Sequence, residues 1–196
     1  MHLKPVPAPF TFCLVEADDD SQKRQLATNW MQSWLSFRLK DTSDAKPPAA
    51  VFDIDDTLVD RNERRIPSLT QIYQWCTNNN ITCFVVTARP ESTTNRMVTS
   101  AMLAQHDIIP KHLYMMPHTT SLPLAVDVSS FKYTCRDEIV QHYNLLANFG
   151  DMWWDIVRLP VTRAHSVLHE RDERECAILF PPQLHGEAAI KLPSSR

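Results

Sequence analysis

Short apolar runs of four to seven residues alternate along this chain with longer stretches whose apolar positions recur at helical spacing. "DDDSQKRQLATNWMQSWLSFRLK" (18–40) predicts a helix. Asp20 or Ser21 can cap it, and Leu26, Trp30, Met31, Trp34 and Leu35 fall on one face. "DTSDAKPP" stops that helix, and "AAVFDI" (49–54) predicts a short strand. "SLTQIYQWCTNNN" (68–80) predicts a second helix that buries Leu69, Ile72 and either Trp75 or Cys76, with the asparagine triplet ending it. "ITCFVVT" (81–87) has the β-branched content of a buried strand. "PESTTNRMVTSAMLAQHD" (90–107) predicts a helix opened by Pro90 in its first position. "HLYMMP" (112–117) predicts a strand, and the segment from Pro117 to Ser130 a long loop. "FKYTCRDEIVQHY" (131–143) then predicts a helix, "LLANFG" (145–150) a strand, and "ECAILF" (175–180) a last strand before an irregular tail.

Strands of this length alternating with helices argue for an α/β fold. Strands without polar alternation argue for a parallel sheet covered on both faces. The 196 residues suffice for one domain with a substantial core, so the expectation is a single domain over 1–196, with an N-terminal extension at 1–20 and a core at about 48–182.

Composition narrows the function classes. A net charge of −3 provides no overall electrostatic footprint for nucleic acid, although a local basic patch is compatible with it. No run approaches the ~18 apolar residues a membrane span needs, so no membrane partner is expected. The N-terminal twenty residues do not read as a secretory leader, because their apolar stretch is short and broken by prolines. Five scattered cysteines without a CxxC pair favour free thiols, and a cytoplasmic protein is expected.

The candidate chemistry begins in "VFDIDDTLVD" (51–60), where Asp53, Asp55, Asp56 and Asp60 crowd the end of a predicted strand. Crowded carboxylates repel and are costly to desolvate, and a bound cation is the simplest compensation. The spacing also mimics half of an EF-hand loop. That reading fails, because Leu58 stands where the loop demands glycine and Arg64 where it demands glutamate. In open parallel sheets ligands bind beyond the carboxyl ends of the strands. Thr87 ends a second predicted strand, Asp151 and Asp155 follow a third, and Lys132 sits near the start of the helix before it. A cation is disfavoured at a helix start, which suggests an anionic partner for Lys132. Carboxylates suit the octahedral shell of Mg²⁺, and a lysine and a hydroxyl beside that ion suit a phosphoryl group. His165 and His169 lie four apart, but without a third ligand "TRAHSVLHERDERE" reads as a solvated helix. The pair Trp153–Trp154 reads as packing or as a lining of the substrate entrance.

"DIDDT" (53–57), "VVT" (85–87), "FK…R" (131–136) and "GDMWWD" (150–155) resemble, in order, the four motifs of the haloacid dehalogenase (HAD) superfamily, and most closely its acid-phosphatase branch. That resemblance implies a Rossmann-like parallel sheet without a large cap domain and a Mg²⁺-dependent phosphatase acting through an aspartyl-phosphate. It implies Asp53 as nucleophile and Asp55 as general acid and base. It implies Thr87 and Lys132 on the phosphoryl oxygens, and Mg²⁺ held by Asp53, the Asp55 carbonyl and Asp151, with Asp155 supporting. About ten residues separate "DIDDT" from the next predicted helix, room for a small flap only. Capless relatives have open sites and often take large phosphorylated substrates. A nucleotidase or polynucleotide-end phosphatase is the alternative if Arg61, Arg64, Arg65 and Arg89 form a basic groove. A non-catalytic protein on the same fold is a third reading, disfavoured because every matched motif residue is present.

Overall fold

Strands β1 (Pro48–Phe52) and β4 (Asn144–Gly150) are buried almost end to end, because helices cover both faces of the sheet they centre. The computed structural model describes residues 20–40, 46–118, 123–152, 155, 178–179 and 188–191. Its other elements are α1 (Asp20–Lys40), α2 (Pro67–Asn78), β2 (Thr82–Pro90), α3 (Thr93–Gln105), β3 (Leu113–Met116), α4 (Ala125–His142), β5 (Ile178–Leu179) and β6 (Ala188–Lys191). The sheet runs β3-β2-β1-β4-β6-β5, parallel throughout except where β5 meets β6.

The core has two layers. On one face Met31 and Leu35 of α1, Leu69, Ile72 and Cys76 of α2, and Met102 and Leu103 of α3 pack on Phe52, Val85 and Phe149. The Phe52 and Phe149 rings stack at 4.5 Å across the central strand pair. On the other face Cys135 and Ile139 of α4 pack on Ala49, Val51, Phe84, Val86 and Leu145. Helices α2 and α3 thus lie opposite α4, and the chain reverses its winding between β1 and β4. That reversal is the topological switch point at which α/β sheets open a crevice for ligands.

The α/β reading holds, and so do most element positions. Helices α2 and α3 end by the same device: Asn80 and Asp107 adopt left-handed backbone (φ 58° and 59°). The next residues, Ile81 and Ile108, donate back to Cys76 and Leu103 carbonyls at 2.9 and 3.0 Å. Three expectations are corrected. Pro90 does not open α3; it ends β2, and Ser92 caps the helix by accepting from the Asn95 N–H at 3.1 Å. The loop expected from Pro117 to Ser130 is shorter, because α4 begins at Ala125, where the Asp127 carboxylate accepts from the Leu124 N–H at 2.9 Å. The tail expected to be irregular contributes β6, which pairs with the edge of β4; of the last predicted strand, Ile178 and Leu179 are described, and they form β5.

On α1, Thr28, Met31 and Leu35 are buried; the side chains of Leu26, Trp30 and Trp34 lie outside the described residues. So do Trp153, Trp154 and the segment holding His165 and His169. No described helix is long and apolar enough to cross a membrane.

Candidate active site

Alternation along β1 directs Ala49 and Val51 toward α4, and Asp53 continues that parity just past the strand end. The Asp53 N–H donates to the Phe149 carbonyl at 2.9 Å, which ties it to β4. The chain then turns sharply. The Leu58 and Val59 N–H groups both converge on the Ile54 carbonyl, at 2.9 and 3.0 Å, and Asp56 takes a left-handed conformation (φ 56°). This turn holds the first acidic cluster at the switch point.

The second cluster follows β4. Asp155 closes a small turn: its N–H donates to the Met152 carbonyl at 3.0 Å and its Oδ2 accepts from the Met152 N–H at 2.9 Å. The turn presses against the end of the strand. A Cβ on Gly150 would lie 2.2 Å from the Asp155 Cβ, so only glycine allows this approach.

Lys132 joins the clusters. It is buried, and its Nζ donates to Asp53 Oδ1 at 2.5 Å and to Asp155 Oδ1. It does not open a helix, as expected from the sequence, but lies about two turns inside α4, so the helix-dipole argument lapses. One turn further, Arg136 donates from Nη1 to the Asp155 carbonyl at 2.8 Å.

Oxygen atoms of Asp53, Asp151 and Asp155 lie within 4.8 Å of one another, and all three residues are buried. Burial, reinforced by the neighbouring carboxylates, raises the Asp53 carboxyl to about 7 despite the opposing pull of Lys132. Burial first, then Asp155 and Asp53, raises Asp151 to about 8. Lys132 is shifted upward: burial works against its charge, but Asp155 and Asp53 outweigh burial. One ammonium therefore undercompensates three carboxylates. Hard, close-set oxygen donors with surplus negative charge fit a divalent cation such as Mg²⁺.

Asp55 and Thr87 have other partners. The Asp55 side chain is 56% exposed, and the Arg89 guanidinium grips it through Nε and Nη2, at 3.1 and 2.8 Å. Arg89 also approaches Glu63 of the flap between β1 and α2 at 3.7 Å. Thr87 is fully buried, and its hydroxyl accepts from the Arg89 N–H at 3.2 Å. Arg61 pairs with Asp56 and Arg64 with Asp60, at 3.4 and 2.7 Å. Three of the four arginines proposed for a basic groove thus face carboxylates, and they form no unbalanced cationic rim. Sequence reasoning overlooked Arg89 as the partner of Asp55 and Arg136 as the partner of Asp155. The second carried a readable signal: Arg136 follows Lys132 by four residues, on the same helical face.

No curated protein matches the chain. Among solved structures, the class C acid phosphatase from Bacillus anthracis with tungstate bound is similar at a TM-score of 0.63 and 14% identity, covering 91% of this chain and 79% of that one. A second structure of the class C acid phosphatase from Bacillus anthracis is similar at 0.62 and 15%, with the same coverage. At these identities the likeness establishes the fold. The family model described as HAD superfamily, subfamily IIIB (Acid phosphatase), matches residues 58–195, a span that contains Thr87, Lys132, Asp151 and Asp155. That span is well over half of the sequence, and the chain therefore belongs to the subfamily IIIB acid phosphatases of the HAD superfamily.

Proposed function

We propose that this phosphatase hydrolyses phosphomonoesters through an aspartyl-phosphate on Asp53, with a Mg²⁺ ion held by Asp53, Asp151 and the Asp55 carbonyl, and Asp155 in support. The observation that carries the reading is the buried Lys132 ammonium between Asp53 and Asp155, with Asp151 in the same oxygen cluster. When bound, the cation supplies charge that offsets the carboxylates and the incoming phosphoryl group.

The remaining chemistry belongs to the chain. A carboxylate oxygen of Asp53 attacks phosphorus, and the P–O bond to the leaving group breaks. Asp55 protonates that leaving oxygen and is left as a carboxylate. It then takes a proton from the water that attacks the aspartyl-phosphate, releasing inorganic phosphate and restoring Asp53. Asp55 reaches the leaving group from the solvent-facing side, and its grip by Arg89 must loosen for it to accept a proton. Lys132 steadies Asp53 before attack and the equatorial phosphoryl oxygens during it, and Thr87 serves the same oxygens. The short flap leaves the mouth open to large phosphorylated substrates. We read residues 1–196 as one domain, with its catalytic core at about 48–182. The buried free thiols of Cys76, Cys83 and Cys135 support a cytoplasmic location.

The test is turnover of para-nitrophenyl phosphate with Mg²⁺ and with chelator, for wild type and Asp53→Asn. Wild type should require the cation, Asp53→Asn should be inactive though folded, and acid quenching during turnover should trap phosphate on wild type alone. Full activity of Asp53→Asn would exclude the covalent route, and undiminished wild-type turnover in chelator would exclude the metal.

A further inference from the structure

Among the described residues, the buried charged side chains are four acids (Asp53, Asp56, Asp151 and Asp155) and two bases (Lys132 and Arg136). Arg136 is the one base of this group that meets the cluster through main chain: its Nη1 donates to the Asp155 carbonyl at 2.8 Å. Burying a guanidinium is expensive, and a neutral amide could also donate to this carbonyl at lower cost. The charge and the placement therefore need a reason, and the surroundings of Asp155 supply it.

Every polar atom of Asp155 is held. Its N–H donates to the Met152 carbonyl, its Oδ2 accepts from the Met152 N–H, its Oδ1 accepts from Lys132, and its carbonyl accepts from Arg136. Two of these partners come from one face of α4, a turn apart: Lys132 grips the side chain and Arg136 the backbone. Lys132 and Met152 hold the carboxylate and the N–H, but they leave the carbonyl end of the residue ungripped. Arg136 holds that end, and the added positive charge lowers the cost of gathering carboxylates beside it.

We infer that Arg136 is a positioning residue for the cation site: it fixes the main chain at Asp155 so that the Asp155 carboxylate keeps its alignment with Lys132, Asp53 and Asp151. The inference rests on the divalent-cation reading above. Partners that orient metal-site carboxylates typically account for 10–100-fold in affinity when removed. Arg136 thus acts through Asp155 and has no part in bond making.

The experiment is direct binding of Mn²⁺ to the full chain, followed by loss of the free-ion electron paramagnetic resonance signal, well below the melting temperature. Arg136→Gln should bind Mn²⁺ roughly 10–100-fold more weakly than wild type, and excess Mg²⁺ should restore most of its turnover. Cys135→Ala, a neighbouring cavity on the same helix, should lower the melting temperature while keeping wild-type affinity. A folded Arg136→Gln that binds as tightly as wild type overturns the inference, as does an equal loss in Cys135→Ala. If Arg136→Gln does not fold, Arg136→Lys serves: its shorter side chain stops short of the Nη1 position, so wild-type affinity there overturns the inference equally. A wild type that binds no Mn²⁺ removes the cation reading itself, and this inference with it.

Discussion

Lys132 sits in the middle of a helix, fully buried, with carboxylates of two different loops on its Nζ. Lys132→Met keeps the length and removes the charge, and turnover should fall about a hundredfold or more, the scale of losing one preorganised electrostatic donor. Stability should fall too, because Asp53 and Asp155 lose their cation; breaking a buried pair from one side costs about 3–5 kcal/mol. Melting curves with and without Mg²⁺ test this, and the cation should recover part of the loss. A mutant with wild-type turnover would mean that Lys132 is only an internal counter-ion. Gly150 makes a different demand. Gly150→Ala drives a methyl group into Asp155, whose Cβ and Oδ2 would lie 2.2 and 2.6 Å away. Overpacking of this kind costs about 1–3 kcal/mol, and the displaced Asp155 should also weaken cation binding. A Gly150→Ala protein with unchanged melting and unchanged metal titration would show that the turn yields freely.

At the scale of elements, α4 and the two strand-end turns divide the work. Helix α4 carries Lys132 and Arg136 on the face whose apolar members, Cys135 and Ile139, fasten it to the sheet. Its position therefore sets the position of both cations. Helix α3 lies on the opposite face and supplies core through Met102 and Leu103, with no side chain in the acidic cluster. Ser92→Ala removes its cap and should cost about 1 kcal/mol of stability, with kcat for para-nitrophenyl phosphate unchanged. A large fall in kcat would mean that the Thr87–Arg89 segment just before Ser92 moves with the cap. The flap is fastened from two sides. Arg89 spans Asp55 and Glu63, and the His106 ring contacts the Glu63 carbonyl at 2.8 Å. Arg89 thereby couples the flap to the side chain proposed as general acid.

For the whole molecule the consequence is a stability that depends on pH and cation together. In the metal-free protein the Asp53 and Asp151 carboxyls are raised from 3.8 to about 7 and about 8, chiefly by burial. The folded state therefore holds these protons more tightly than the unfolded chain does. Their contribution is fully present below the unfolded value and is lost as pH rises through the folded values. The metal-free melting temperature should thus fall between about pH 5 and 8. A divalent cation competes with those protons, so its stabilising effect should grow over the same window. Thermal melts across pH, with chelator and with Mg²⁺, read both trends. A Mg²⁺ effect that shrinks as pH rises would place the cation elsewhere than on these carboxylates.

Local pattern alone determined the alternation of strands and helices, the apolar strand ends, and the order of the acidic, hydroxyl and lysine motifs. Each of these is written in neighbouring residues: uninterrupted apolar runs for buried strands, and three- and four-residue spacing for helix faces. Boundaries were less legible where two local signals competed, as at Pro90, where a proline that could start a helix lost to a serine cap two residues later. The start of α4 was hidden because, after Ala125, "AVDVSS" holds only valine, aspartate and serine, weaker helix formers, and it depends on the bond between Asp127 and the Leu124 N–H. Strand β6, "AAIK", has a single β-branched residue and no aromatic to announce it, and exists through hydrogen bonds to the edge of β4. The alignment of the site was decided by tertiary structure alone. Lys132 and Asp53 are 79 residues apart, and Arg89 and Asp55 are 34 apart. No local spacing reports such contacts, because burial and charge pairing arise only once the sheet brings distant strand ends together.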